Sequence, residues 1–398
     1  MDLILRNAHV IDPSQEIDRV LDVGIRGQRI EALGESLPSP PNCAERDLRG
    51  NYLCPGLVDL HGHWYEGSAW GIDPNICLNH GVTTAVDAGT CGFINFDEFR
   101  RNRIQRAAVE VLAFVNISAN GIPSALVGEF EDLRYARPRE TAAMIEAHPT
   151  ITLGVKLREG AMTANHGVEA LALALEAAES TRRPLMVHIS KGAPTPTILK
   201  KLRPGDILTH CFQGRGDGLV ADGQMIPEAL EARQNGVWFD VGHGCGSFRW
   251  ETAKRAFEQF FFPDTISTDL HRYSVVRFAM DMPTTMSKFL HLGMTLSDVI
   301  LKSTWAPARI IGRESELGTL RPGSVADLFV FELEEGEFPL EDTHLRMETA
   351  MRRIRPRFTI KSGKIVECGS QQASLRPLYP CDEEVFEFIE RDAGSFEA

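Results

Sequence analysis

Six residues of this chain fall, in order, at the ends of apolar strand-like runs: His61, His63, Lys156, His188, His210 and Asp269. Each can bind a divalent ion, the lysine only after modification. His61 and His63 stand at i and i+2, so on a strand both imidazoles face one side and reach one metal. Such a pair is weak evidence alone, but here it follows PGLVDL and four further ligand types close later strands. Asp59 shares their face, where it either orients an imidazole or closes a strand-end salt bridge. Lys156 lies inside ITLGVKLRE, where a buried ammonium is costly. Loss of the proton, pairing with Asp87 or Glu159, or reaction with CO₂ to a carbamate would each relieve that cost. A carbamate has two oxygens and could bridge two ions, and the surrounding histidines favour it. His188 in LMVHIS and His210 in ILTHCF would each read singly as an ordinary core histidine. After HxH and Lys156 they read as ligands. Asp269 in ISTDLH can touch a metal and hydrogen-bond a water, the place for a general base.

These groups need strands to hold them. Between residues 55 and 312, the runs GLVDLHGH, TTAVDAG, VLAFVNIS, ITLGVKLRE, PLMVHIS, DILTHCF, VWFDVGHG and TISTDLH alternate with helical patterns. Among the latter, HGVEALALALEAAEST repeats its apolar residues at i, i+3 and i+4, and WETAKRAFEQFF is also helical. Strands alternating with helices predict an α/β fold, a (β/α)₈ TIM barrel. Near-continuous apolar strands suit a sheet buried on both faces. The segments 1–54 and 313–370 alternate apolar and polar residues between Gly and Pro turns. They are expected to pair into a small β-sandwich domain built from both chain ends. Residues 371–398 form an acidic C-terminal extension. QGRGDGLVADGQ and HGCGSF would be loops on the active face.

The 398 residues are 43% hydrophobic and 24% charged, ordinary for a soluble protein with a large core. A net charge of −13 argues against nucleic acid or an anionic membrane as partner. Early charges break any signal-peptide core, and no apolar run approaches a membrane span. Eight cysteines are scattered without a CxxC pair, so free thiols in the cytoplasm are expected. Cys211 and Cys245 lie beside the proposed site and read as small buried apolar residues. No G-x-S-x-G elbow offers a serine nucleophile.

On the ligand set, the PGLVDLHGH run and the LGTLRPGSVADLFVF segment, the chain resembles the amidohydrolase superfamily in its binuclear subgroup, over about residues 1–370. That resemblance implies two divalent ions, zinc being usual. His61, His63 and Asp269 would hold the more buried ion, His188 and His210 the more exposed one, and carboxylated Lys156 both. It implies hydrolysis by a metal-activated water, with Asp269 as general base and then acid.

Dihydroorotases follow HxH closely with a carboxylate-gripping arginine; HGHWYEG has none. Hydantoinases and allantoinases share the bridging lysine but differ in the loops. D-aminoacylases use a cysteine ligand in its place. GVKLRE, FDVGHGCGSF and STDLH resemble a deacetylase branch once grouped with the dihydroorotases. That branch is associated with acetylated 2-hydroxy acids such as acetyl-(R)-mandelate. The small-molecule substrate is then expected to meet Arg158, His243, His271 and Arg272, the arginines pairing with a carboxylate. Tyr65 and Trp64 would form an apolar wall. The alternatives are a cyclic amidase, an N-acyl-amino-acid deacylase, a barrel isomerase and, least favoured, a silent scaffold. A homo-oligomer is expected.

Overall fold

The computed structural model describes residues 1–124, 127–160, 168–216 and 218–369. The expected C-terminal extension lies outside the described residues.

Seven parallel strands run Leu57–Gly62, Val82–Ala88, Glu110–Asn116, Thr152–Glu159, Leu185–Ile189, Ile207–Thr209 and Trp238–Phe239. They pair in sequence order as one curled sheet. Crossover connections between parallel neighbours are right-handed as a rule, and sequence-order pairing is the simplest outcome of that rule. Helices such as Val168–Thr181 and Trp250–Glu258 pack outside it, through Ala170, Leu171, Ala174, Ala253 and Ala256. Every residue of Thr152–Glu159 is buried.

The eighth run, TISTDLH, is not a continuous strand. It meets both edges of the sheet by isolated bridges, Asp240 with Thr265 and Gly62 with Leu270. The cause is in its composition. Thr265 and Ser267 each donate a hydroxyl to Asp240, and Thr268 donates to Asp59. Side chains thus supply much of the stitching that a ladder would otherwise give. Asp269 then takes φ +49°, a left-handed conformation that ends any strand.

The two chain ends join in a second sheet of eight strands. Tyr52–Pro55 pairs antiparallel with the hairpin strand Leu328–Glu341, and Leu3–Asp12 lies on its other side. Leu5, Val10, Val23, Leu53, Val330 and Phe358 belong to its core. The hairpin of Leu328–Glu341 and Met347–Lys361 reaches the parallel sheet's loops. There the Asp342 carboxylate accepts the Trp250 N–H, and Thr343 exchanges hydrogen bonds with the Phe248 backbone.

Candidate metal centre

His61 lies in the first parallel strand and His63 just after it. Their Nε2 atoms stand 3.4 and 3.0 Å from Asp269 Oδ1. Each imidazole is aimed by a hydroxyl behind it. Thr209 Oγ1 lies 2.9 Å from His61 Nδ1 and gives its own proton to Asp240 at 2.7 Å. Thr90 Oγ1 lies 2.8 Å from His63 Nδ1 and gives its proton to Asp87, also at 2.7 Å. A hydroxyl has one proton, so each histidine must donate from Nδ1. Both Nε2 lone pairs then face a carboxylate oxygen that is buried without a hydrogen-bond partner. Three electron-rich atoms converging in a buried site call for a cation. Among the described residues, His61, His63 and Asp269 offer ligand atoms all within 4.8 Å of one another. These residues fit a divalent metal.

A second pair lies alongside. His210 donates Nδ1–H to Gly242 O at 2.6 Å, leaving its Nε2 lone pair 2.6 Å from His188 Nδ1. Lys156 Nζ stands 3.4 Å from His61 Nε2. All six expected ligands therefore lie at one end of the sheet. Burial, reinforced by nearby Lys156, pushes His61 and His63 well below the usual imidazole range. Burial does the same to His188, and takes His210 to about 3. Neutral imidazoles are metal ligands. Burial also brings the Lys156 ammonium down to about 7, against the opposing pull of Asp269.

Two glycines make room. A Cβ on Gly89, at φ +74°, would stand 2.4 Å from Lys156 Cβ. One on Gly244, at φ +53°, would stand 2.3 Å from Asp269 Oδ2. Both positions need glycine for conformation and for space.

Asp59 orients no imidazole. It accepts from Thr268 Oγ1 and N at 2.5 and 3.0 Å and from His61 N at 3.3 Å, tying the first strand to the eighth run. Asp87 serves Thr90 and the Trp64 N–H instead of Lys156. The orienting groups that the sequence reading missed are Thr90, Thr209 and Asp240. A threonine or aspartate on an apolar strand was their only signal.

The expected substrate residues divide. Arg158 is buried, donates to Glu129 at 2.9 Å, and lies 5.3 Å over the Trp70 ring. His271 is buried beside His63, ring centroids 6.0 Å apart. Arg272 is buried too, and its backbone N–H donates to Trp70 O. His243 faces another way: its Nδ1–H donates to Gly244 O, and its Nε2 accepts from Lys288 at 2.7 Å. Tyr65 bonds Glu98 and packs on Phe99. Trp64 is fully buried beneath Gly62. The aromatic beside His63 is Trp70, at 6.2 Å, which lies in a loop without periodicity and was not foreseen.

The curled parallel sheet thus carries at one end a His/His/Asp cluster that could hold a metal ion. Residues 52–366 match the amidohydrolase family, and the chain belongs to it. A deacetylase of Brucella anthropi is 33% identical over 88% of each chain. A deacetylase of Agrobacterium fabrum is 32% identical over 90% of this chain and 89% of its own. Among solved structures, an adenine deaminase superposes with TM-score 0.85 at 31% identity, over 92% of this chain and 99% of that one. A dihydroorotase does so with TM-score 0.85 at 30% identity and the same coverage. The chain is a hydrolase. No helix among the described residues is long and apolar enough to cross a membrane.

Proposed function

We propose that this enzyme is a binuclear metal-dependent deacetylase of small acetylated 2-hydroxy acids, acetyl-(R)-mandelate being the type. The observation that carries the reading is the meeting of two imidazole pairs and Lys156 around Asp269. The names of the similar deacetylases support the leaving group. We infer a (β/α)₈ barrel over 55–312, closed by the eighth run, and a β-sandwich domain from 1–54 and 313–370. Free thiols at every described cysteine support a reducing, cytoplasmic setting.

His61, His63 and Asp269 would hold one ion, His188 and His210 the other, and carboxylated Lys156 both; mixed nitrogen and oxygen ligands suit zinc. A lysine that loses its proton near neutrality supports carboxylation, because only the free amine attacks CO₂. Bound cations supply an acidified water and a polarised carbonyl. Asp269 takes the proton of the attacking water and delivers it to the leaving oxygen. Thr209 and Thr90 keep both imidazoles aimed throughout. Arg158, His271 and Arg272 contact substrate.

A second reading, opening of a cyclic amide, is favoured by the dihydroorotase structure at 30% identity. Acetate release separates the two. Zinc-reconstituted protein is given O-acetyl 2-hydroxy acids and N-acetyl amino acids of both hands. Turnover of one O-acetyl hand is expected. No turnover of any, with two metals bound, would sink the deacetylase and leave dihydroorotate and hydantoins to test.

A further inference from the structure

Beside the proposed ligands, two N–H donors are buried with nothing to donate to. The first belongs to His271. Its Nδ1 accepts the Tyr273 backbone N–H at 3.1 Å, so Nδ1 carries no proton. The ring's proton is thereby fixed on Nε2, and that atom is buried without a hydrogen-bond partner. The second is the indole N–H of Trp70, likewise buried and unpartnered. The two rings touch edge to face, centroids 4.4 Å apart. Both border His63, at 6.0 and 6.2 Å.

An orphaned buried donor is costly, and native proteins keep few of them. Two on adjoining rings at the edge of a metal-type site suggest a ligand that satisfies both. That ligand must accept hydrogen bonds. The guanidinium of Arg158 lies over the same Trp70 ring at 5.3 Å, so positive charge is also at hand. Glu129 accepts from one of its nitrogens at 2.9 Å. Neutral donors plus one guanidinium suit a planar acceptor with two oxygens and one negative charge.

From this we infer that His271 Nε2–H and Trp70 Nε1–H form a donor pair for the substrate's carboxylate, with Arg158 supplying the charge. The inference rests on the 2-hydroxy-acid reading and names the residues that select for its acid group. It makes Trp70 and His271 specificity residues. The amide of the same acid would leave one donor facing an NH₂ group that cannot accept.

The test uses the full zinc-loaded chain, with sodium mandelate as the acid probe and mandelamide as its neutral counterpart. The indole N–H resonance of Trp70 is identified by its loss in Trp70→Phe, a change that keeps an aromatic ring. Mandelate is expected to move that resonance at concentrations where mandelamide does not. Trp70→Phe and His271→Phe should each bind mandelate roughly tenfold more weakly, in line with loss of a hydrogen bond to a charged group. Mandelamide binding should be unchanged in both. An unmoved Trp70 resonance, wild-type affinity in both variants, or no mandelate binding overturns the donor pair. Acetate release from O-acetylmandelate is followed in parallel. Release with an unmoved resonance overturns the donor pair alone, and a moved resonance without release overturns the hydrolytic reading alone.

Discussion

Asp240 and His61 are joined through a single hydroxyl, that of Thr209, at 2.7 Å to the carboxylate and 2.9 Å to the ring. The carboxylate also accepts from Thr265 and Ser267, so it has little freedom to turn. One fixed carboxylate thus sets one proton, and that proton sets which nitrogen of His61 faces the site. Removing the hydroxyl should loosen the ring without unfolding the sheet. Thr209→Val is expected to weaken zinc about 10–100-fold, the usual effect of losing a group that orients a ligand. Competition with a chromogenic chelator measures it, and unchanged affinity would show that packing alone aims His61.

Asp269→Asn keeps the shape and removes the base. The turnover number should fall about 10³-fold, within the range of general-base contributions. Steady-state kinetics at saturating metal reads this, and near-normal turnover would move the base elsewhere.

Lys156→Ala removes the proposed bridge. Metal content should drop from two ions per chain toward one or none, and activity with it. Elemental analysis after dialysis against zinc decides this. Two ions and full activity in the variant would end the carbamate role.

The meeting of these six side chains at one end of the sheet was legible in the sequence because they are rare types in apolar strands. A histidine or lysine closing a run such as LMVHIS contradicts its surroundings, and the contradiction is the signal. Thr209 and Asp240 gave no such signal, since threonine and aspartate at a strand end have many uses. Trp70 was invisible for another reason: it sits in a turn whose path depends on contacts distant in sequence, including the Arg272 N–H on its carbonyl. The eighth strand was expected to be regular, but its Ser and Thr side chains took over the pairing. The two β segments were legible by alternation; that they would share one eight-stranded sheet follows from tertiary pairing.

Lys288 tests whether the loop after the seventh strand needs support. It is fully buried, and its ammonium donates to His243 Nε2, Phe278 O and Glu341 O. Lys288→Met strands three acceptors, so unfolding free energy should fall by about 2–5 kcal/mol. Urea denaturation measures it. The same variant should also lower turnover, because His243 adjoins Gly244, which packs against Asp269.

Glu159 gives a pH signature apart from the metal centre. Burial raises its carboxyl to about 8, helped by nearby Glu169. The folded state therefore keeps a proton that the unfolded chain loses above the ordinary glutamate value of 4.5. Its contribution is full below that value and is lost as pH rises toward 8, by at most about 1.4 kcal/mol per pH unit. Glu159→Gln mimics the protonated acid. It should be more stable than the parent at pH 8 and equal to it at pH 4.5, by thermal melts at both.

The hairpin that braces the site follows all seven parallel strands in sequence. Residues 52–55 find their partners at 328–331, and the loop carrying Phe248 and Trp250 waits for Asp342 and Thr343. Translation delivers these partners only after every parallel strand. Contacts this distant in sequence are slow to close. The ligand strands therefore leave the ribosome before the hairpin that supports their loops, and in that interval the Tyr52–Pro55 edge of the first β segment, whose other strands pair with one another, stays open to chaperones.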